Sequence, residues 1–224
     1  MSSGFEIEKV FFTAKALSLY ADLLESASAA EYFLVSDEVF EKLRDEVAPQ
    51  GVFSVIKKPV RHNLSDDETN GGFLILEDVQ NPLNLGAIFR CAYSLGFDKI
   101  VLTKGCADIY NPKTLRSAMG SIFKCRIYRD DDICRFIRTL KEKGKRVFCT
   151  HLHSESQSLD TFSFNDGDSI VMGNEGHGVS ERVLGECTGS VIIPMNEGAE
   201  SLNAATAAAI IMWEMKKARQ QTNI

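Results

Sequence analysis

Nowhere does the chain carry an apolar run of the roughly 18–20 residues that a membrane-spanning helix needs. Its first ten residues, MSSGFEIEKV, have neither the basic start nor the apolar stretch of a secretory leader. Both absences point to a cytoplasmic protein. The six cysteines (Cys91, Cys106, Cys125, Cys134, Cys149, Cys187) are scattered and include no CxxC pair, so no disulfide framework is expected. They read as reduced, small apolar side chains, mostly buried. The G-x-G-x-x-G dinucleotide fingerprint is missing, and so is the phosphate loop that ends in Lys-Ser/Thr. There is no internal repeat and no low-complexity tract. His151 and His153 alternate along an extended chain and can face one way, but no third ligand follows at a suitable spacing, so no metal site is expected.

What remains is an ordinary globular composition. The chain has 224 residues, 44% of them apolar and 25% charged, enough to bury a core without disulfides or a structural metal. Its net charge of −6 is unevenly spread. Residues 1–69 hold 7 Lys+Arg against 13 Asp+Glu, whereas Lys113–Arg146 holds 11 basic and 4 acidic residues. The second stretch reads either as a surface that neutralises phosphates or as a solvated helical face.

The polar, acidic segment from His62 to Gly72 has linker chemistry and divides the chain into residues 1–69 and 70–224. The first part reads as a small α/β unit: a helix over Ala14–Ser26, a strand over Glu31–Val35, a helix over Asp37–Val47 and a strand over Gly51–Ile56. In the second part strands and helices alternate. Strands are expected at Phe73–Leu76, Lys99–Leu102, Arg146–Cys149, Ser169–Met172 and Val191–Ile193. Helices are expected at Leu85–Leu95, Pro112–Met119, Asp131–Lys143 and Ser201–Arg219. Such alternation implies a mostly parallel sheet covered by helices.

Three segments each follow a strand and carry polar residues or glycines where a ligand would sit. The first, Asp78 to Arg90, opens a helix. Gly86 keeps its turn uncluttered, and Asn84 and Arg90, six residues apart, can share a pocket if Asn84 precedes the helix. Alone, the pair reads equally as a helix start and a solvated arginine. The second, Ile170 to Ser180, has Gly173, Gly176 and Gly178, which let a ligand approach main-chain groups closely. Glu175 stands among them, where a solvated surface acid has no obvious purpose. The third, Ile192 to Thr206, leads into an alanine-rich helix. Ser201 suits an N-cap, whereas Asn203 is a poor residue for a first helical turn.

In this order the segments read N-x-x-N-x-G-A-I-x-R, G-N-E-G-x-G and I-P-M-x-x-G-x-E-S-L-N. As a set they resemble the signature motifs of the TrmH/SpoU branch of the SPOUT methyltransferases, over about Gly72 to Ala218. The segments around Tyr32–Ser36 and Pro49–Phe53 resemble, less closely, the small substrate-recognition domain found before that catalytic domain. The resemblance implies a deep trefoil knot near the C-terminus, an exception to unknotted topology. It also implies a homodimer whose active sites borrow from both subunits. The activity it implies is methyl transfer from S-adenosylmethionine to a ribose 2′-hydroxyl of tRNA or rRNA. Asn84, Arg90, Glu175, Ser201 and Asn203 fall on the motifs' polar positions. The cofactor contacts fall on Gly173, Ile193 and Leu202, with Thr150, Met195 and Gly178 nearby. Arg90 then acts either as base or as phosphate anchor, and a guanidinium, which stays protonated, suits the second role better. Arg116 is a second phosphate candidate, or a structural arginine paired with an acid. Two rivals stand beside this reading: an RNA-binding protein that kept the fold without catalysis, and a SPOUT enzyme that methylates a base nitrogen.

Overall fold

The computed structural model describes residues 5–27, 29–43, 49–58, 71–152 and 155–221. The linker expected at His62–Gly72 lies outside the described residues up to residue 70, as does His153. Contacts divide the chain into two compact units, Met1–Val60 and Arg61–Ile224.

The first unit holds β1 (Ile7–Phe12), α1 (Ala14–Ser26), β2 (Ala29–Leu34), α2 (Asp37–Leu43) and β3 (Val52–Ile56). Its sheet has the order β2-β1-β3, with β1 parallel to β2 and antiparallel to β3. The central strand is the one the sequence hides. Ile7–Phe12 breaks alternation with consecutive charges and then consecutive aromatics, so its period does not announce a strand. Thr13 ends it and caps α1, its side chain accepting a hydrogen bond from the Ala16 amide at 3.2 Å.

The second unit is a seven-stranded parallel sheet. Its elements are β4 (Leu74–Leu76), α3 (Pro82–Leu95), β5 (Lys99–Leu102), α4 (Pro112–Ala118), β6 (Arg126–Arg129), α5 (Ile133–Glu142), β7 (Val147–Thr150), β8 (Gln157–Ser158), β9 (Ser169–Met172), α6 (Glu181–Glu186), β10 (Gly189–Ile192) and α7 (Ala204–Gln221). The strand order is β6-β5-β4-β9-β7-β10-β8, with every neighbouring pair parallel. The central strands are buried on both faces, so their residues alternate between two cores. Leu74, Leu76, Ile100, Leu102, Ile170 and Met172 face the core built with α3, α4 and α7. Ile75, Val101, Val171, Val147 and Cys149 face the core built with α5 and α6. Helix α5 shows the complementary pattern, burying Ile133, Cys134, Phe136, Ile137 and Leu140 along one stripe.

The chain runs outward through β4, β5 and β6, then crosses back so that β9 lies between β4 and β7. That reversal opens a crevice at the carboxyl ends of β4, β9, β7 and β10, where open α/β sheets hold ligands.

Gly86 has a different duty from the expected one. It lies inside α3, not in the preceding turn. A Cβ there would sit 2.4 Å from the Thr114 carbonyl oxygen and 2.6 Å from Ser117 Cβ, because α4 crosses against this point. Gly86→Ala is therefore expected to destabilise the second unit by about 1–3 kcal/mol, read as a lower urea midpoint with an unchanged slope.

Candidate active site

The first motif starts as a well-capped helix. Asn81 is the N-cap of α3, accepting from the Leu83 amide at 2.9 Å, and Pro82 follows at the first helical position. Helix α3 thus begins three residues earlier than the hydrophobic pattern suggests, and Asn84 lies in its first turn, buried. The second motif is a closed loop after β9. Asn174 and Gly178 exchange backbone hydrogen bonds of 3.0 and 2.9 Å. The Asn174 side chain fills the loop, accepting from the Gly176 and His177 amides and donating to the Asp78 carbonyl at 2.9 Å. The third motif ends in Asn203, not Ser201, as the cap of α7. The Asn203 side chain accepts from the Ala205 and Thr206 amides, and its carbonyl accepts from Ala207. Its presence at the helix start therefore follows from N-cap preference.

Three side chains from the three motifs form one chain of hydrogen bonds. The Asn203 amide donates to Asn84 Oδ1 at 2.9 Å, and Asn84 Nδ2 donates to Glu175 Oε1 at 3.0 Å. Glu175 also accepts from the Asn81 amide at 3.0 Å and the Gln80 amide at 3.2 Å. Burial pushes the Glu175 carboxyl up, but the Asn84 side chain and the amides of Glu175, Asn81 and Gln80 together outweigh it. The net effect holds its pKa below the ordinary value of 4.5. Glu175 is thus an ionised fastener, and a carboxylate held this way is a weak base.

A depressed carboxyl pKa stabilises the folded state above the unfolded-state pKa, and that contribution fades as pH falls through the lower folded value. Glu175→Gln should lower stability by a constant amount above pH about 5, since an amide cannot accept all these N–H groups at full strength. The difference from the native protein should shrink only below the ordinary carboxylate range. Urea denaturation of both proteins between pH 3 and 8 checks this; a difference that vanishes already near pH 6 would contradict it.

The loops enclose a cavity of about 390 Å³ at the carboxyl ends of β7, β9 and β10. Thr150, Gly173, Gly178, Ile193, Met195 and Leu202, the expected cofactor contacts, all line it, as do Glu175 and Ser201. The small side chains of Ala204 and Ala207 supply its wall on α7. Gly173 is irreplaceable on steric grounds, since a Cβ would lie 2.1 Å from the Gly178 carbonyl carbon and 2.2 Å from the Val179 nitrogen.

Two expected residues stand apart. Arg90 is exposed and makes no hydrogen bond or ion pair among the described residues. Six residues along a helix carry it about 9 Å from Asn84 and about 120° around the axis, away from the Asn203–Asn84–Glu175 chain. Arg116 is exposed on α4. The basic Lys113–Arg146 stretch is partly consumed by acids: Arg126 pairs with Asp98 at 2.7 Å, Arg146 with buried Asp168 at 2.5 Å, and Arg138 with Glu186.

Asn81 and Asn174 stand in the quoted motifs without an expected role, and Gln80 was not anticipated at all. Asn81 carries a readable signal, an Asn immediately before Pro; Gln80 contributes only its backbone and carries none. Cys106, Cys125 and Cys134 have thiols raised above the ordinary range, chiefly by burial, and Cys125 is pushed up to about 12. They are poor nucleophiles. Among the described residues no group of His, Cys, Asp and Glu is arranged to hold a metal ion, and no helix is long and apolar enough to cross a membrane.

Residues 72–213 match the model of the SpoU rRNA Methylase family. The chain is 32% identical over 184 residues to a 23S rRNA (guanosine(2553)-2′-O)-methyltransferase of Bacillus subtilis, covering 82% of this chain and 72% of the relative. Its fold is similar to that of the AdoMet-bound rRNA methyltransferase from Sinorhizobium meliloti, with a TM-score of 0.81 and 26% identity over 96% of this chain and 81% of that one. It is also similar to the SpoU methyltransferase AviRb from Streptomyces viridochromogenes, with a TM-score of 0.81 and 25% identity over 98% and 85%.

Proposed function

The chain belongs to the SpoU rRNA Methylase family, and from that premise we propose that it transfers a methyl group from S-adenosylmethionine to a ribose 2′-hydroxyl of rRNA or tRNA. The observation that carries this reading is the 390 Å³ cavity fastened on one side by the Asn203–Asn84–Glu175 chain. Its size suits a nucleoside-sized ligand. Its walls offer what such a donor needs: apolar Ile193, Met195 and Leu202 for uncharged surface, and main chain at Gly173 and Gly178 for the polar edges. When bound, S-adenosylmethionine supplies an electrophilic methyl group on a sulfonium.

The protein's own part is positional. Glu175 and Asn84 hold the first and second motifs together, which keeps the cavity wall rigid. Ser201, whose hydroxyl makes no hydrogen bond among the described residues, is available to the ribose. Arg90 anchors an RNA phosphate and stabilises developing charge. Its exposure on α3, away from its own cavity, supports a homodimer in which it serves the partner's site. Exposed Leu83 on the same helix and exposed Trp213 on α7 support that contact surface. Arg116 is assigned to RNA as well. The reading includes a trefoil knot, supported by strand order: β9 and β10 flank β7, so the segments after β7, β9 and β10 close on one cavity. It includes substrate recognition by the first unit, and a cytoplasmic location supported by six free cysteines.

Methyl transfer from labelled S-adenosylmethionine to separate pools of unmodified rRNA and tRNA tests the proposal. Incorporation into one pool names the substrate. No incorporation into either would favour the RNA-binding alternative.

A further inference from the structure

The cavity lining contains two ionisable acids, Glu175 and Glu200, and no lysine or arginine. The two acids differ in their commitments. The Glu175 carboxylate is taken up by Asn84 and two backbone amides. Glu200 is exposed and makes no hydrogen bond or ion pair among the described residues. It stands immediately before Ser201, at the point where the third motif borders the cavity. An uncommitted carboxylate beside an RNA-methylating site has a cost, because it repels the phosphates of the substrate. Ile192, Ile193, Met195 and Leu202, which line the same cavity, are apolar and offer its charge no counterion.

The reaction changes the charge of what the cavity holds. The S–CH3 bond breaks as the O–CH3 bond forms, sulfur keeps the electron pair, and the hydroxyl proton leaves to solvent. A sulfonium cation becomes a neutral thioether, while the amino-acid and adenosine portions are unchanged. We propose that Glu200 makes the cavity charge-selective, favouring S-adenosylmethionine over S-adenosylhomocysteine and so promoting release of the spent donor. The inference rests on the donor assignment above and goes beyond it in naming a residue that separates donor from product.

Isothermal titration of the full-length protein with each compound, without RNA, at pH 8 and low salt, tests this. The native protein is expected to bind S-adenosylmethionine about tenfold more tightly than S-adenosylhomocysteine. Glu200→Gln, which keeps shape and removes charge, should cut that ratio at least about threefold, mainly by weakening S-adenosylmethionine. Added salt should shrink the native ratio, because Glu200 is exposed. Glu197→Gln, in the same loop but outside the cavity lining, should leave the ratio unchanged. If Glu200 instead held the amino group that both compounds share, both affinities would fall together and the ratio would stay, which would overturn the proposal. Tighter native binding of S-adenosylhomocysteine would overturn it as well. Failure of both compounds to bind would remove the donor assignment itself.

Discussion

Arg90→Ala is expected to reduce methyl transfer by about 10³-fold while S-adenosylmethionine binds with native affinity. The separation follows from where Arg90 lies. It is exposed on α3, six residues beyond the Asn84 amide that the other motifs fasten and on another face of the helix, and it does not line the donor cavity. Removing it leaves that cavity intact. The proposed homodimer, with Arg90 serving the partner's site, predicts complementation. A protein carrying Arg90→Ala has a sound cavity but lacks the cation; one carrying Gly173→Ala has the cation but a blocked cavity. Mixed and reassorted at equal amounts, the two inactive proteins should recover about a quarter of native activity, since half the dimers are mixed and each has one complete site. No recovery, with mixed dimers demonstrated, would mean that Arg90 serves its own cavity. Arg90→Lys should rescue only partially, because an ammonium anchors a phosphate without the planar fork.

Gly173→Ala is the second large effect. The added methyl meets the backbone of Gly178 and Val179, with no flexible side chain to yield. Room can be made only by parting the Asn174–Gly178 hydrogen-bonded pair. That dismantles the loop that presents Glu175 to Asn84. Donor binding should weaken at least about 100-fold, and stability should fall by about 3 kcal/mol. Gly178→Ala is the informative control: its φ of +70° disfavours a side chain, yet no atom lies within 4 Å of the added methyl. It should cost about 1 kcal/mol in backbone strain and bind the donor more tightly than Gly173→Ala. Native affinity in Gly173→Ala would contradict the assignment of this loop.

The sequence disclosed what local chemistry controls. Lys99–Leu102 and Ser169–Met172 occupy the strands expected of them, because strands buried on both faces are continuous apolar runs bounded by polar residues. Arg126–Arg129 escaped notice because arginines at both ends of an edge strand disguise it. Glu181–Glu186 escaped because six residues with an internal glycine are too few to show a helical period. The site divides the same way. Motif resemblance identified Asn84, Glu175 and Asn203, yet nothing local says that these three, 91 and 119 residues apart from Asn84, share one run of hydrogen bonds. Asn203 looked out of place only while α7 was thought to begin at Ser201. The remoteness of Arg90, by contrast, was already implicit in helical arithmetic once Asn84 was known to lie inside α3.

The chemistry itself is decided by the position of the methyl group. RNA methylated by the purified protein should be digested to nucleosides and examined by mass spectrometry with fragmentation across the glycosidic bond. The account predicts that the added methyl group stays with the ribose, at roughly one methyl per substrate RNA, and that Arg90→Ala lowers the signal about 10³-fold. A methyl retained on the base fragment would contradict it.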